Sequence, residues 1–196
     1  MFYPGFYFDR TMILLLPAII ISFWAQSKVS STYKKYRTVR TMNGYTGENV
    51  ARMMLDAAGL YDVPVLETSG ELTDHYDPRS RVIRLSRDIY HGTSIASAGI
   101  AAHEVGHAIQ HQQSYKPLVL RTSMATAVNF SSQASIFIFM IGLLFSIPVL
   151  TNIGIIFFTV AVIYQLITLP VEFNASRRAL NILESRNILY GNEVNG

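Results

Sequence analysis

The sequence predicts an α+β membrane protein that is mainly helical, with about three transmembrane helices. Its H-E-x-x-H helix, the candidate active-site helix, is expected to be packed by a small antiparallel sheet. Three observations lead there. Half of the residues are hydrophobic, only 15% are charged and mean hydropathy is +0.27, values that suit a chain partly dissolved in lipid. From Thr122 to Val171 there is no charged residue and no histidine. Between the apolar ends, residues 61–86 break into short β-like runs bounded by turn residues. The 196 residues divide into an N-terminal membrane anchor (1–26), a domain carrying the active-site helix (27–126), a transmembrane helical hairpin (127–171) and a returning segment (172–196).

The anchor is the apolar stretch Met12–Ala25. It falls short of the ~20 residues of a full span. The aromatic cluster Phe2, Tyr3, Phe6, Tyr7 and Phe8 ahead of it extends it at the headgroup level, and Trp24 serves the other interface. A cleaved signal peptide would begin with basic residues, and this start is aromatic. Lys28, Lys34, Lys35, Arg37 and Arg40 follow with no acid among them, which marks the cytoplasmic side.

Thr46–Leu60 reads as an amphipathic helix: Val50, Met53, Met54, Ala57 and Ala58 recur at helical spacing, and Gly59 stops it. Val63–Leu66, Glu71–Thr73 and Arg81–Ser86 read as strands, with a turn at Asp77–Ser80. The Arg81–Ser86 strand alternates as a half-exposed one would and is a candidate edge for holding an extended peptide. Ile95–Gln113 is the central helix, rich in Ala and Gly ahead of the motif, which allows neighbouring helices close approach. Ala134–Leu150 and Ile153–Pro170 form the hairpin, with the turn expected at Thr151, Asn152 and Gly154.

The chemistry concentrates in His103-Glu104-Val105-Gly106-His107. Residues four apart lie one above the other on a helix, so both imidazoles can aim at one point, while Glu104 stands about 100° round from His103. Two His ligands, an open position for water and a carboxylate that takes the water's proton make a zinc hydrolase arrangement. No cysteine is present, so the metal is left to histidines, carboxylates and water.

A catalytic zinc usually takes a third protein ligand. His111 lies two turns past His103, ~12 Å along the axis, too far to share the ion. His75 and His91 stand in turn-like surroundings with no spacing to recommend them. Glu172 follows directly after the apolar run. Two spans between His107 and Glu172 would carry the chain out and back, returning the acid to the motif's side. Arg177, Arg178 and Arg186 again mark the cytoplasmic face.

Three blocks together carry a family resemblance: Ala102–Gln110, Leu72–Arg79 with Arg84-Leu85-Ser86, and Pro170–Arg178. They resemble the YugP-type neutral zinc metallopeptidases, bacterial membrane proteins more distantly similar to HtpX-type proteases. The resemblance implies a gluzincin site with His103, His107 and Glu172 on zinc and Glu104 as base. The HtpX-type pattern has an acid four residues after the ligand Glu, where this chain has Ser176. Such families also continue with another apolar segment, so a shortened C-terminus is an expectation for a chain ending at Gly196.

The expected function is that of a membrane-bound zinc-dependent endopeptidase, hydrolysing peptide bonds with a zinc-activated water and a glutamate general base. One zinc per chain is the expected cofactor. Expected partners are a peptide or membrane-protein substrate and the lipid bilayer. No nucleic acid is expected, because a net charge of +3 is spread thinly. The expected location is the cell membrane, multi-pass, with the site on the cytoplasmic side. Candidates for stabilising an oxyanion are His75, Tyr76 and the Arg177/Arg178 pair, the last equally a phospholipid contact. Two readings compete: a non-catalytic membrane scaffold or partner-binding protein with a structural metal, and a membrane hydrolase of a non-peptide bond.

Overall fold

A computed structural model describes residue 13 and residues 15–193. The aromatic cluster and the start of the expected anchor lie outside the described residues. Six helices of different lengths and one small sheet are found among the described residues. In chain order they are α1 (Leu15–Arg37), α2 (Gly47–Ala57), β1 (Val65–Thr68), β2 (His75–Asp77), β3 (Val82–Ser86), α3 (Arg87–Tyr90), α4 (Ile95–Gln112), α5 (Lys116–Leu144) and α6 (Pro148–Ser185), before a 3₁₀ turn at Gly191–Glu193.

Local sequence accounts for the helix ends. Thr46 and Asn49 close a capping box on α2: the Asn49 N–H donates to Thr46 Oγ1 at 3.1 Å, and the Thr46 N–H donates to Asn49 Oδ1 at 3.3 Å. Gly59 takes a φ of +73° past its end, letting the Leu60 N–H reach Leu55 O at 2.8 Å. Ser94 caps α4 by accepting from the Ser97 N–H.

The sheet is mixed, which corrects the antiparallel one expected. Its order is β1-β3-β2, with β2 antiparallel and β1 parallel to β3. The reason is the tight β2–β3 turn, which takes one edge of β3. β1 is left with the other edge, and residues 69–81 supply roughly the dozen residues a parallel crossover needs. Asp77 fixes the turn by accepting from the Arg79 N–H (2.9 Å) and the Ser80 hydroxyl (2.6 Å). Glu71–Thr73 is not a strand; His75–Asp77 is. β3 is therefore central, with both edges paired and four of its five residues buried. The idea that Arg81–Ser86 offers a substrate edge does not survive this, and β2 is the strand that faces the candidate site.

The core joins α2, β3 and α4. Val50, Met54 and Leu55 pack with Ile83 and Leu85 on the alanine face of α4, Ala98, Ala101 and Ala102, and Val105. Small residues bring the α4 backbone in close, as the composition of that helix predicts.

The hairpin is formed by α5 and α6, but its turn is at Phe145–Ile147 rather than at Thr151–Gly154. Ser146 takes a φ of +54°, the Ile147 N–H bonds Gly142 O at 2.8 Å, and Pro148 opens α6 at a position where its missing N–H is not needed. Gly154 serves packing instead: a Cβ there would stand 2.7 Å from Phe139 Cβ. Among the described residues, α5 and α6 are the helices long and apolar enough to cross a membrane. Their outer faces leave Phe130, Phe137, Leu144, Ile156 and Phe158 exposed. The third expected span is not among them: α1 carries the apolar stretch from Leu15 to Ala25 and then turns polar and basic through Arg37. α6 continues without a break through Pro170, so its apolar length and Glu172 share one helix.

Candidate metal centre

α4 and α6 meet where Gly106 faces Ala175. The crossing brings together three side chains from distant parts of the chain. His103 Nε2 lies 3.1 Å from Glu172 Oε2, His107 Nε2 lies 3.4 Å from the same oxygen, and the two Nε2 atoms are 3.2 Å apart. A tetrahedral zinc with bonds of 2.0–2.2 Å needs ligand atoms roughly 3.3–3.5 Å apart. The cluster is within a few tenths of an ångström of one face of that tetrahedron, so these residues can hold the ion.

The neighbours of the imidazoles decide which nitrogen faces the cluster. Gln110 is fully buried, and its amide nitrogen donates to Val171 O and Asn174 Oδ1, both at 2.9 Å. Its oxygen is then the group that meets His107 Nδ1 at 3.1 Å, so Nδ1 carries the proton and donates. The Nε2 lone pair of His107 points at the cluster, the form a metal requires. His103 Nδ1 lies 3.1 Å from Ser176 Oγ, a hydroxyl that holds the ring in place and can accept from Nδ1 when Nε2 serves the cluster. Ser176 thus takes the place where the related pattern carries an acid. We expect Gln110→Ala to lower zinc affinity about 10–100-fold, and Ser176→Ala to lower it less, in competition with a chelator. The difference follows from burial, since water can replace the exposed serine but not the enclosed amide.

Glu104 is not among the three converging side chains but lines the same cleft. It is 8% exposed, and its Oε2 accepts the Tyr76 N–H at 2.8 Å. Burial pushes its carboxyl above the usual carboxylate range, with His107 and His103 pulling it partly back. Burial also pulls down on His107, but Glu172 and Glu104 outweigh it and carry the imidazole above its ordinary value. Burial raises the Tyr76 phenol, and Arg81 offsets part of that.

A cleft of about 450 Å³ opens over the cluster, walled by Asp74 to Arg79 on one side and by Leu118, Arg121, Thr122 and Tyr164 on the other. Arg121 pairs with Glu172 Oε1 at 3.1 Å. The other histidines have separate partners. His111 Nδ1 meets the Tyr76 hydroxyl at 2.8 Å, His91 meets Glu67, and His75 Nδ1 meets Thr73 O although the residue lines the cleft. Arg178 is engaged by Asn174 and Gln113, and neither it nor Arg177 lines the cleft. Sequence reading missed Arg121, Gln110 and the Tyr76 N–H. Gln110 alone left a trace, three residues past His107 on the same helix face.

Comparison with known proteins points to the same metal. The family described as "putative neutral zinc metallopeptidase" matches residues 11–196. A Bacillus subtilis (strain 168) protein described as "putative membrane protease YugP" is 51% identical over 185 residues, covering 94% of this chain and 82% of that one. No solved structure matches the chain.

Proposed function

The chain belongs to the neutral zinc metallopeptidase family, and from that premise we propose that it is a membrane-bound zinc-dependent endopeptidase. His103, His107 and Glu172 hold the ion, and Glu104 is the general base. The observation that carries this reading is the pair of imidazoles whose Nδ1 atoms are tied down, so that both Nε2 atoms converge on one carboxylate oxygen.

Zinc bound there supplies a Lewis acid for the scissile carbonyl and makes water a nucleophile near neutral pH. The side chains do the rest. Glu104 takes a proton from the attacking water and returns it to the leaving amine. The Tyr76 N–H holds one carboxylate oxygen, which leaves Oε1, unbonded among the described residues, for the proton. Its raised affinity for protons brings it closer to the working pH of a base that must also act as an acid. Arg121 steadies Glu172 from the side away from the histidines.

In this reading the protein is multi-pass, with the site at the cytoplasmic surface, and its substrates are peptides or membrane proteins. Pro148 to Glu172 spans roughly 36 Å of helix at 1.5 Å per residue, a little more than the ~30 Å hydrocarbon core. That supports a position for Glu172 just outside the lipid. The lysines and arginines of residues 28–40 support the cytoplasmic side.

Two measurements test the proposal. Purified protein is expected to bind about one zinc per chain, with Glu172→Gln losing most of it. The native chain has no cysteine, so single Gln112→Cys and Arg177→Cys substitutions, both exposed, report topology cleanly. Both should be labelled from the cytoplasmic face. Labelling from opposite faces would separate Glu172 from the histidines and end the proposal.

A further inference from the structure

The metal cluster stands between two cavities of opposite character. On one side is the cleft with Arg79 and Arg121. On the other, a cavity of about 420 Å³ begins at His103, Glu104 and Ser176 and continues between α4 and α6. It runs into a further cavity of about 510 Å³ that reaches α1. The two share Leu72, Gly99, Ile100, Leu180 and Leu183, so they form one trough. Its walls are mostly apolar; Asp74 and Glu104 stand at the metal end, and Lys28 and Glu193 line the part that reaches α1.

One feature indicates that the trough is built to be filled. Gly99 stands where the two cavities join, and nothing lies within 4 Å of where its Cβ would be. Glycine inside a helix is unfavourable relative to alanine, so helix formation does not explain it, whereas an open passage one turn before His103 does.

We propose that this trough is the specificity site: it takes the apolar residues on one side of the scissile bond, while polar residues on the other side leave through the cleft. This rests on the peptidase reading above. The occupant is a peptide, because the trough is continuous with Glu104 and His103. The substrate class is then a stretch where an apolar run meets a polar one. α1 extends the same character, with Ile19, Ile20, Phe23 and Trp24 exposed along it.

Gly99→Leu tests this by plugging the trough at its join, in a place with room for the side chain and with a gain in helix propensity. The binding probe is a fluorescein-labelled peptide with a Leu/Phe half and a Gly/Ser/Glu half, followed by anisotropy on the Glu104→Gln protein. Adding Gly99→Leu should weaken binding about 10-fold or more, and an all-polar peptide should bind weakly to both proteins. In wild-type protein, cleavage of a mixed peptide pool should show apolar residues enriched on one side of the cut only, and Gly99→Leu should erase that enrichment. Unchanged binding, or cuts with no asymmetry, overturns the proposal while leaving the peptidase standing. Phospholipid retained by wild type and lost from Gly99→Leu, with peptide binding unaffected, overturns it as well. Zinc-loaded wild type that cuts no peptide in the pool is a different result, and it removes the peptidase reading itself.

Discussion

Glu104→Gln is expected to keep the zinc content of wild type and to lose about 10²–10⁴-fold in kcat, which is roughly 3–5 kcal/mol of barrier. Glutamine has the same shape and can still accept the Tyr76 N–H through its carbonyl oxygen, so the local fold has little reason to change. What it cannot do is take a proton. The carboxylate is not among the converging ligand atoms, so metal content should be indifferent to the change. Peptide hydrolysis and metal analysis on the same preparation separate the two effects. Equal turnover by the variant would remove Glu104 from the chemistry. Loss of zinc together with activity would make it a ligand or a structural group instead of a base.

Gly106→Ala is expected to cost about 10–100-fold in kcat/KM and to weaken zinc binding, although it adds a single methyl group away from the ligands. A Cβ at Gly106 would lie 2.6 Å from Ala175 O and 3.1 Å from Ala175 Cα, against 3.4 Å for ordinary contact. These are backbone atoms, so α6 itself must retreat, by nearly the difference. Glu172 rides on that helix one turn earlier, and a misplacement approaching 1 Å at a reacting centre can cost about 100-fold. Alanine is otherwise the better helix former by about 1 kcal/mol. A loss therefore cannot come from α4 alone. Chelator competition and a steady-state assay read the two consequences. Wild-type values for both would mean that the two helices are not held at this contact.

The legible parts of the site were those that a single helix or a count of crossings determines. His103 and His107 sit four apart on one face, and that needs no tertiary knowledge. Glu172 could be nominated because a charge-free run long enough for two passages must bring the chain back. What surrounds these residues was not legible, because it depends on pairings across more than 60 residues: Gln110 with Val171 and Asn174, His103 with Ser176. The sheet failed for a similar reason. A strand of three residues, β2, has too little pattern to be seen, and without it β3 reads as an edge. Gly154 was misread because a glycine required for helix contact and a glycine required for a turn look alike in sequence. Ser146 and Pro148 held the better signal for the turn.

The unbroken length of α6 has a consequence for how the protein comes into being. The histidines are synthesised about 65 residues before the acid that completes their set. In the interval, the ribosome delivers the whole hairpin. A nascent chain that ends before α6 carries the two histidines without the carboxylate that meets them in the folded protein. On the proposed reading, its metal set stays incomplete until α6 has been made.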